Sequence, residues 1–127
     1  MASGKKVLIV EDDTGLRTVL ADRLTGYDYE VLQAEDGEKA MSLVGEHKPH
    51  LVILDLLLPK KDGFAVLDEI RHHNDKAISG TTVVVLSNLW SNKDILRVRA
   101  LHVDEYFVKA NTNLEEVFDK VKQVLGK

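Results

Sequence analysis

Five short apolar runs, rich in β-branched residues, alternate along the chain with segments whose apolar residues recur at helical spacing. The runs cover residues 6–10, 29–34, 51–54, 82–86 and 105–108. Apolar residues three or four positions apart predict helices closing at Gly26, spanning 37–46, opening at Asp62, lying between Ile95 and Leu101, and running from Leu114 to Leu125. The order is therefore strand then helix, repeated five times.

The first, third and fourth runs are apolar at nearly every position, which is typical of parallel strands covered on both faces. Alternation of this kind predicts an α/β protein with right-handed crossovers and a doubly wound, five-stranded parallel sheet in the order 2-1-3-4-5. This arrangement is a flavodoxin-like (βα)5 sandwich. In such sheets, functional residues lie beyond the carboxyl ends of the strands, near the point where the strand order reverses.

The length of 127 residues and the hydrophobic content of 44% predict one globular domain spanning residues 1–127. The chain has no cysteine, which excludes disulfides and thiolate metal sites and fits a cytoplasmic location. No run is long enough to cross a membrane, and residues 1–6 lack the apolar core of a secretory signal. The net charge of −4 argues against direct binding of nucleic acid.

Polar residues follow four of the predicted strands and should meet at one edge of the sheet. They are Glu11, Asp12 and Asp13 after the first strand, Asp55 after the third, Ser87 after the fourth and Lys109 after the fifth. Two carboxylates about 4 Å apart repel by roughly 4 kcal/mol in a protein-like dielectric, so such a cluster needs protons or a cation. A few carboxylates with open positions for water and phosphate suit Mg²⁺.

Taken singly, most of these residues also have a purely structural explanation, since Asp13 fits a helix cap, Ser87 a turn and Lys109 a solvated strand end. Asp55 is harder to explain in that way, because a charge that ends an apolar run is costly unless it is paired or bound to metal. Beside a divalent cation, Asp55 is a nucleophile for phosphoryl transfer, and Lys109 would neutralise charge on the phosphoryl oxygens.

The motifs resemble, in identity, order and spacing, the receiver domain of two-component response regulators. The matching segments are 7–13, 54–59 with 62–63, 86–88 and 104–109. The resemblance implies a single-domain phosphoprotein of a two-component system or phosphorelay. It would take a phosphoryl group from the phosphohistidine of a sensor histidine kinase or phosphotransfer protein onto Asp55 as an aspartyl phosphate. Such a protein catalyses only its own phosphorylation and dephosphorylation.

The resemblance also implies the ligands of the cation. Asp55 is the phosphoacceptor, and Mg²⁺ or Mn²⁺ is held by Asp12, by Asp55 and by the backbone carbonyl of Leu57. Glu11 completes the acidic pocket and acts on the metal indirectly. Lys109 is the lysine of the family's site.

For signalling, the resemblance implies that Ser87 is the switch hydroxyl and Tyr106 the switch aromatic. Tyr106 would turn inward as Ser87 moves toward the phosphoryl group. The face formed by the fourth helix, the fifth strand and the fifth helix would then change its affinity for a downstream protein. We expect Trp90 and Tyr106 on that partner surface. A monomer is expected, and dimerisation on phosphorylation is left open.

Several positions depart from the family pattern. Ala110 stands where the family has a proline after a cis peptide bond, and a cis bond before alanine costs about 3 kcal/mol, so we expect a trans bond that could displace the lysine. Asn88 replaces a small residue and could narrow access to the phosphoacceptor. His102 replaces a glycine and would be strained at a positive φ. Leu57 and Leu89 stand where polar residues orient the attacking water, which predicts slow self-dephosphorylation.

Three alternatives remain. A degenerate receiver would act as an interaction module that is never phosphorylated, and the changes at Asn88 and Ala110 leave this open. An aspartyl-phosphate phosphatase would need a second acid two residues after the nucleophile, where Leu57 stands. A flavin-binding module would need a phosphate cradle rich in small residues after the first strand, where 11–13 would instead repel phosphate.

Overall fold

The computed structural model describes residues 4–89 and 91–126. Its strands are β1 (Lys6–Val10), β2 (Glu30–Ala34), β3 (Leu51–Leu54), β4 (Thr82–Ser87) and β5 (Glu105–Val108). They form one parallel sheet in the order β2-β1-β3-β4-β5, which confirms the predicted topology. Each predicted strand agrees with its observed bounds to within one residue.

The helices of the described residues are α1 (Thr14–Gly26), α2 (Gly37–His47), α3 (Gly63–Arg71), α4 (Lys76–Ser79), α5 (Asn92–Arg99) and α6 (Leu114–Leu125), and a 3₁₀ turn covers Lys109–Asn111. The sequence pattern does not predict α4, because a four-residue helix is too short to show an apolar period. The fourth and fifth predicted helices are therefore α5 and α6. Across the described residues, no helix is long and apolar enough to cross a membrane.

Both faces of the sheet are covered, as the apolar strands predict. On one face, Leu24 of α1 and Phe118 of α6 pack in a buried cluster with Ile9 of β1. On the other face, Val44 of α2 and Leu67 of α3 belong to a second cluster, to which α4 and α5 also contribute. The strands are therefore packed on both sides, which fixes the strand ends from which the loops extend.

The strand register brings the predicted functional residues to one edge. β1 and β3 end together, with Val10 opposite Leu54, and β4 and β5 end with Ser87 opposite Val108. The residues that follow these strand ends form what we call the carboxyl edge. The loops that lead into the strands form the amino edge.

Arg71, at the end of α3, ties the amino edge together. Its guanidinium donates hydrogen bonds to the carbonyl oxygens of Ser79, Thr81, Leu101 and His102 at 2.7–3.0 Å. His102 has a φ of 57°, so the strained conformation considered for this position is present. The four bonds join the loop before β4 to the loop before β5.

Candidate functional site: an acidic pocket at the carboxyl edge

Three carboxylates cluster at the carboxyl edge. Glu11, Asp12 and Asp55 each offer an oxygen, and these oxygens lie within 4.8 Å of one another. Glu11 and Asp55 are only 2% and 3% exposed, whereas Asp12 is exposed. The Glu11 amide donates to the Ala34 carbonyl and the Asp55 amide to the Val10 carbonyl, both at 3.0 Å. The sheet ladder therefore continues into the pocket and fixes the two buried acids.

The ammonium of Lys109 lies between the two buried carboxylates. Its Nζ is 2.7 Å from Glu11 Oε1 and 2.7 Å from Asp55 Oδ2. The peptide bond to Ala110 is trans, as expected without a proline, and Lys109 nevertheless reaches both acids. With Asp12, the cluster contains three carboxylates against the single ammonium of Lys109. This excess of negative charge is one that a divalent cation would offset.

Burial and pairing act in opposite directions on the charges of the pocket. Burial raises the pKa of Glu11 above its ordinary value, and the hydrogen bond from Lys109 only partly opposes this. Burial alone would lower the pKa of Lys109, but its hydrogen bonds to Asp55 and Glu11 outweigh that effect and raise the pKa. Lys109 therefore stays protonated at neutral pH and supplies a fixed positive charge.

The loop after β3 is held around Asp55. The Leu57 amide donates to Asp55 Oδ1 at 3.0 Å, which fixes one carboxylate oxygen. Gly63 packs against the same loop, since a Cβ there would lie 2.3 Å from the Asp55 carbonyl oxygen. Asp62 caps α3 directly before it. The Asp62–Gly63 pair of the sequence motif therefore positions the loop that carries Asp55.

Ser87 and Tyr106 are connected through the backbone of Leu89. Ser87 is fully buried, and its Oγ accepts a long hydrogen bond of 3.4 Å from the Leu89 amide. The half-buried Tyr106 donates its hydroxyl hydrogen to the Leu89 carbonyl. Burial, followed by the charges of Asp94 and Asp55, raises the pKa of Tyr106, so the hydroxyl keeps its proton at neutral pH. The two predicted switch residues therefore act on the same loop.

The model of a known family, the response regulator receiver domain, matches residues 7–122. The chain belongs to this family. A curated relative, the probable transcriptional regulator ycf27 of Porphyridium aerugineum, is 35% identical to this receiver over 105 residues, which are 83% of this chain and 42% of that protein. The receiver therefore spans less than half the length of that relative.

Two solved receiver structures share the fold. The BeF3-activated N-terminal receiver domain of Klebsiella pneumoniae RstA is 27% identical with a TM-score of 0.81, and the match covers 97% of this chain and 100% of that chain. The phosphorylated cyanobacterial phytochrome response regulator RcpA is 34% identical with a TM-score of 0.79, covering 96% and 91%. The family resemblance inferred from the strand-end motifs is confirmed.

Beside its acidic pocket the receiver presents an apolar wall. A shallow cavity there is lined by Asp12, Leu56, Leu57, Leu58, Pro59, Asp62, Phe64 and Leu89. Leu57, whose amide donates to Asp55 Oδ1, has a side chain that is 52% exposed. The two leucines expected to slow the loss of a phosphoryl group therefore line the same opening.

Two further predicted positions have different outcomes. Trp90, expected on the partner surface, lies outside the described residues. The Asn88 side chain contacts the second unusual position, since its Oδ1 accepts a hydrogen bond from the Ala110 amide at 3.0 Å. The sequence marks both Asn88 and Ala110 as unusual but carries no signal for their contact, which depends on the register of β4 and β5. The narrowing of access to Asp55 by Asn88 stays a prediction.

Proposed function

We propose that Asp55 accepts a phosphoryl group from the phosphohistidine of a sensor histidine kinase or a phosphotransfer protein. The observation that carries this proposal is the buried Asp55 carboxylate, 2.7 Å from Lys109 within an acidic pocket. An Asp55 oxygen forms a bond to phosphorus while the bond from phosphorus to the donor imidazole nitrogen breaks, and its electron pair leaves with that nitrogen. No general base is needed, because the carboxylate attacks in its ionised form.

The pocket suits Mg²⁺ or Mn²⁺. Its donors are hard carboxylate oxygens, and the exposed position of Asp12 leaves room for water and phosphoryl oxygens as further ligands. We assign Asp12, Asp55 and the Leu57 carbonyl as ligands. Glu11 supports them from its buried position beside Lys109. A bound cation supplies neutralisation of charge on the phosphoryl oxygens.

Lys109 and Ser87 complete the set of groups that contact the phosphoryl oxygens. Lys109 is already held at hydrogen-bond distance from Asp55, so its charge is in place before transfer begins. The hydrogen bond that Ser87 Oγ accepts is 3.4 Å long and therefore weak. The Ser87 hydroxyl can leave it at little cost and donate to a phosphoryl oxygen. In this proposal the chain catalyses only its own phosphorylation and dephosphorylation.

In this proposal the face formed by α5, β5 and α6 binds the downstream partner. Tyr106 in β5 connects this face to Leu89, two residues beyond Ser87, so movement of that loop alters the face. Leu96 on α5 is 66% exposed and offers an apolar contact to a protein partner. Phosphorylation would shift the population of conformations that this partner binds. We propose a monomeric switch with a protein target, which leaves dimerisation on phosphorylation open.

The alternative of an interaction module that is never phosphorylated draws on the two departures from the family pattern at Asn88 and Ala110. The Asn88 side chain and the Ala110 amide are bonded to each other, directly after Ser87 and Lys109. The phosphatase alternative gains no such support, because the exposed Leu57 supplies no acid beside Asp55.

The test is intact-mass spectrometry after incubation with acetyl phosphate and Mg²⁺. We expect one phosphoryl adduct on the wild type and on Asp22→Asn, a matched substitution of an exposed acid on α1. Asp55→Asn and addition of a chelator should both abolish the adduct. Absence of an adduct, together with no change of Trp fluorescence on adding beryllofluoride, would favour the unphosphorylated module. A fluorescence change without an adduct would indicate a competent pocket that requires its cognate kinase.

A further inference from the structure

A side chain joins two loops of the carboxyl edge. Asn88 directly follows Ser87, and Ala110 directly follows Lys109. Asn88 Oδ1 accepts a hydrogen bond from the Ala110 amide at 3.0 Å. The bond therefore links the residue after the proposed switch hydroxyl to the residue after the proposed catalytic lysine.

The 3₁₀ turn that begins at Lys109 has no cap of its own. The residue before the turn is Val108, whose side chain makes no capping hydrogen bond. The first amides of a helical turn have no partner within it, so the Ala110 amide needs an acceptor from elsewhere. Asn88 supplies that acceptor from the loop that follows the neighbouring strand, β4. A proline at position 110 would have no N–H to donate, whereas alanine has one.

The position of the Lys109 ammonium depends on how this turn is held. The lysine side chain has a fixed length and its ammonium contacts two acids at once, so a shift of the turn's backbone moves the point from which it must reach both. Beyond Lys109, Thr112 Oγ1 donates to the Val108 carbonyl at 2.7 Å, and the Thr112 amide donates to the Lys109 carbonyl at 3.4 Å. The bond from Ala110 to Asn88 holds the turn toward β4.

We propose that Asn88 is a positioning residue of the phosphorylation site. By accepting the Ala110 amide it sets the Lys109 ammonium between the buried carboxylates, and it makes the Ser87 loop and the Lys109 turn move together. This inference rests on the proposed function, in which Lys109 neutralises the phosphoryl group. Asn88 and Ala110 are both exposed, so water competes for the bond and its effect on affinity is moderate.

A double-mutant cycle separates this role from a direct effect of Asn88 on the ligand. Asn88→Ala removes the acceptor. The same substitution is then made in an Ala110→Pro background, in which the donor is already missing. The measured quantity is the Kd for beryllofluoride in Mg²⁺. We expect Asn88→Ala to weaken binding about five-fold in the wild-type background and less than about two-fold in the Ala110→Pro background.

The matched control is Asn111→Ala, which removes another exposed amide from the same turn. Asn111 makes no side-chain hydrogen bond to any residue that the structure describes, so its removal should leave the Kd unchanged. Equal losses for Asn88→Ala in both backgrounds would assign Asn88 a direct contact with the ligand and overturn the inference. No loss in either background would overturn it as well.

Hydrogen exchange of the Ala110 amide tests the bond without any ligand. We expect exchange in Asn88→Ala to be about five-fold faster than in the wild type. Asn88→Asp keeps an acceptor oxygen and should restore the protection. Unchanged exchange in Asn88→Ala would refute the inference. A wild type that is protected at Ala110 but does not bind beryllofluoride would instead refute the proposed function and leave Asn88 a structural cap.

Discussion

The two edges of the sheet hold buried charge in opposite ways. At the amino edge, the Arg71 guanidinium donates to four carbonyl oxygens at 2.7–3.0 Å, so its hydrogen-bonding groups are used within the chain. At the carboxyl edge, Lys109 pairs with Glu11 and Asp55, and the nearby Asp12 adds a third carboxylate to the cluster. The buried charge at the first edge is satisfied by the protein itself. The second edge keeps an excess of carboxylates, which in our proposal a divalent cation offsets.

Burial affects the charges at both edges. Burial lowers the pKa of Arg71, and the charge of Asp104 opposes this. Burial raises the pKa of Glu11. The guanidinium stays charged because its bonds to carbonyls replace the lost water, whereas the acids crowd one another. Substitutions at the amino edge should therefore change stability without changing ligand binding by the pocket. Those at the carboxyl edge should change ligand binding without lowering the stability of the metal-free protein.

Arg71→Met should have the largest effect. We expect the free energy of unfolding to fall by about 3 kcal/mol, because several partly buried carbonyl groups lose their donors. Arg71→Lys should recover only a fraction, since an ammonium cannot reproduce the guanidinium fork. Urea unfolding measures the change, and the Kd for Mg²⁺ of the folded protein should stay within about two-fold of wild type. A variant as stable as wild type would contradict the structural role of Arg71.

Metal removal tests the other edge. At a Mg²⁺ concentration 100 times its Kd, the free energy of unfolding should rise by about 2.7 kcal/mol relative to protein in a chelator. Asp12→Asn should lose most of this gain but be no less stable without metal, because one repelling charge is removed. Asp22→Asn is the matched control and should keep the full gain. An equal gain in Asp12→Asn would exclude Asp12 as a ligand.

Leu57→Asn should change a rate and leave stability nearly unaltered. Leu57 is half exposed and lines the shallow cavity beside the acidic pocket, and we expect a polar side chain there to orient an attacking water. We expect the phosphoryl group to be lost roughly ten-fold faster than from the wild type. The measurement is the decay of radiolabel after removal of the donor. Val19→Asn, at a half-exposed apolar position on α1 outside this cavity, is the control and should keep the wild-type rate. Equal rates for wild type and Leu57→Asn would show that Leu57 does not screen water.

The fold and the acids of the pocket could be predicted from the sequence because their signals are carried by side chains. An apolar run such as 51–54 fits a strand covered on both faces, and the charge of Asp55 at its end requires a partner. Because parallel strands end at one edge, the sequence alone predicts Glu11 and Lys109 beside Asp55. The structure confirms the sheet order that this placement requires.

The remaining contacts could not be predicted because they involve backbone atoms, which every residue has. Asn88 binds the Ala110 amide, and Tyr106 binds the Leu89 carbonyl. Arg71 likewise looks in the sequence like an ordinary cation in the last turn of a helix, although it binds four carbonyls. Such contacts follow from the exact path of the loops, for which the apolar pattern carries no information.

Tyr29→Phe should have the smallest effect and sharpens the comparison at the amino edge. Tyr29 lies just before β2 and is 4% exposed, and its hydroxyl is a buried group with no hydrogen-bond partner among the described residues. Burial, with a smaller contribution from Tyr27, raises the pKa of Tyr29, so the hydroxyl is neutral. Folding therefore costs this group one hydrogen bond that it makes to water in the unfolded chain. Removing it should raise the free energy of unfolding by about 1 kcal/mol, as measured in urea.

Beryllofluoride affinity should not change in Tyr29→Phe. A fall in stability would mean that the hydroxyl binds a buried water and that the amino edge is satisfied throughout. A rise would show that an unsatisfied group at this edge only destabilises the fold. At the carboxyl edge, by contrast, the excess of carboxylates over ammonium groups is the property on which the proposed cation binding depends. An unsatisfied group therefore indicates function only where a ligand from solvent can reach it, as at the exposed Asp12 and not at the enclosed Tyr29.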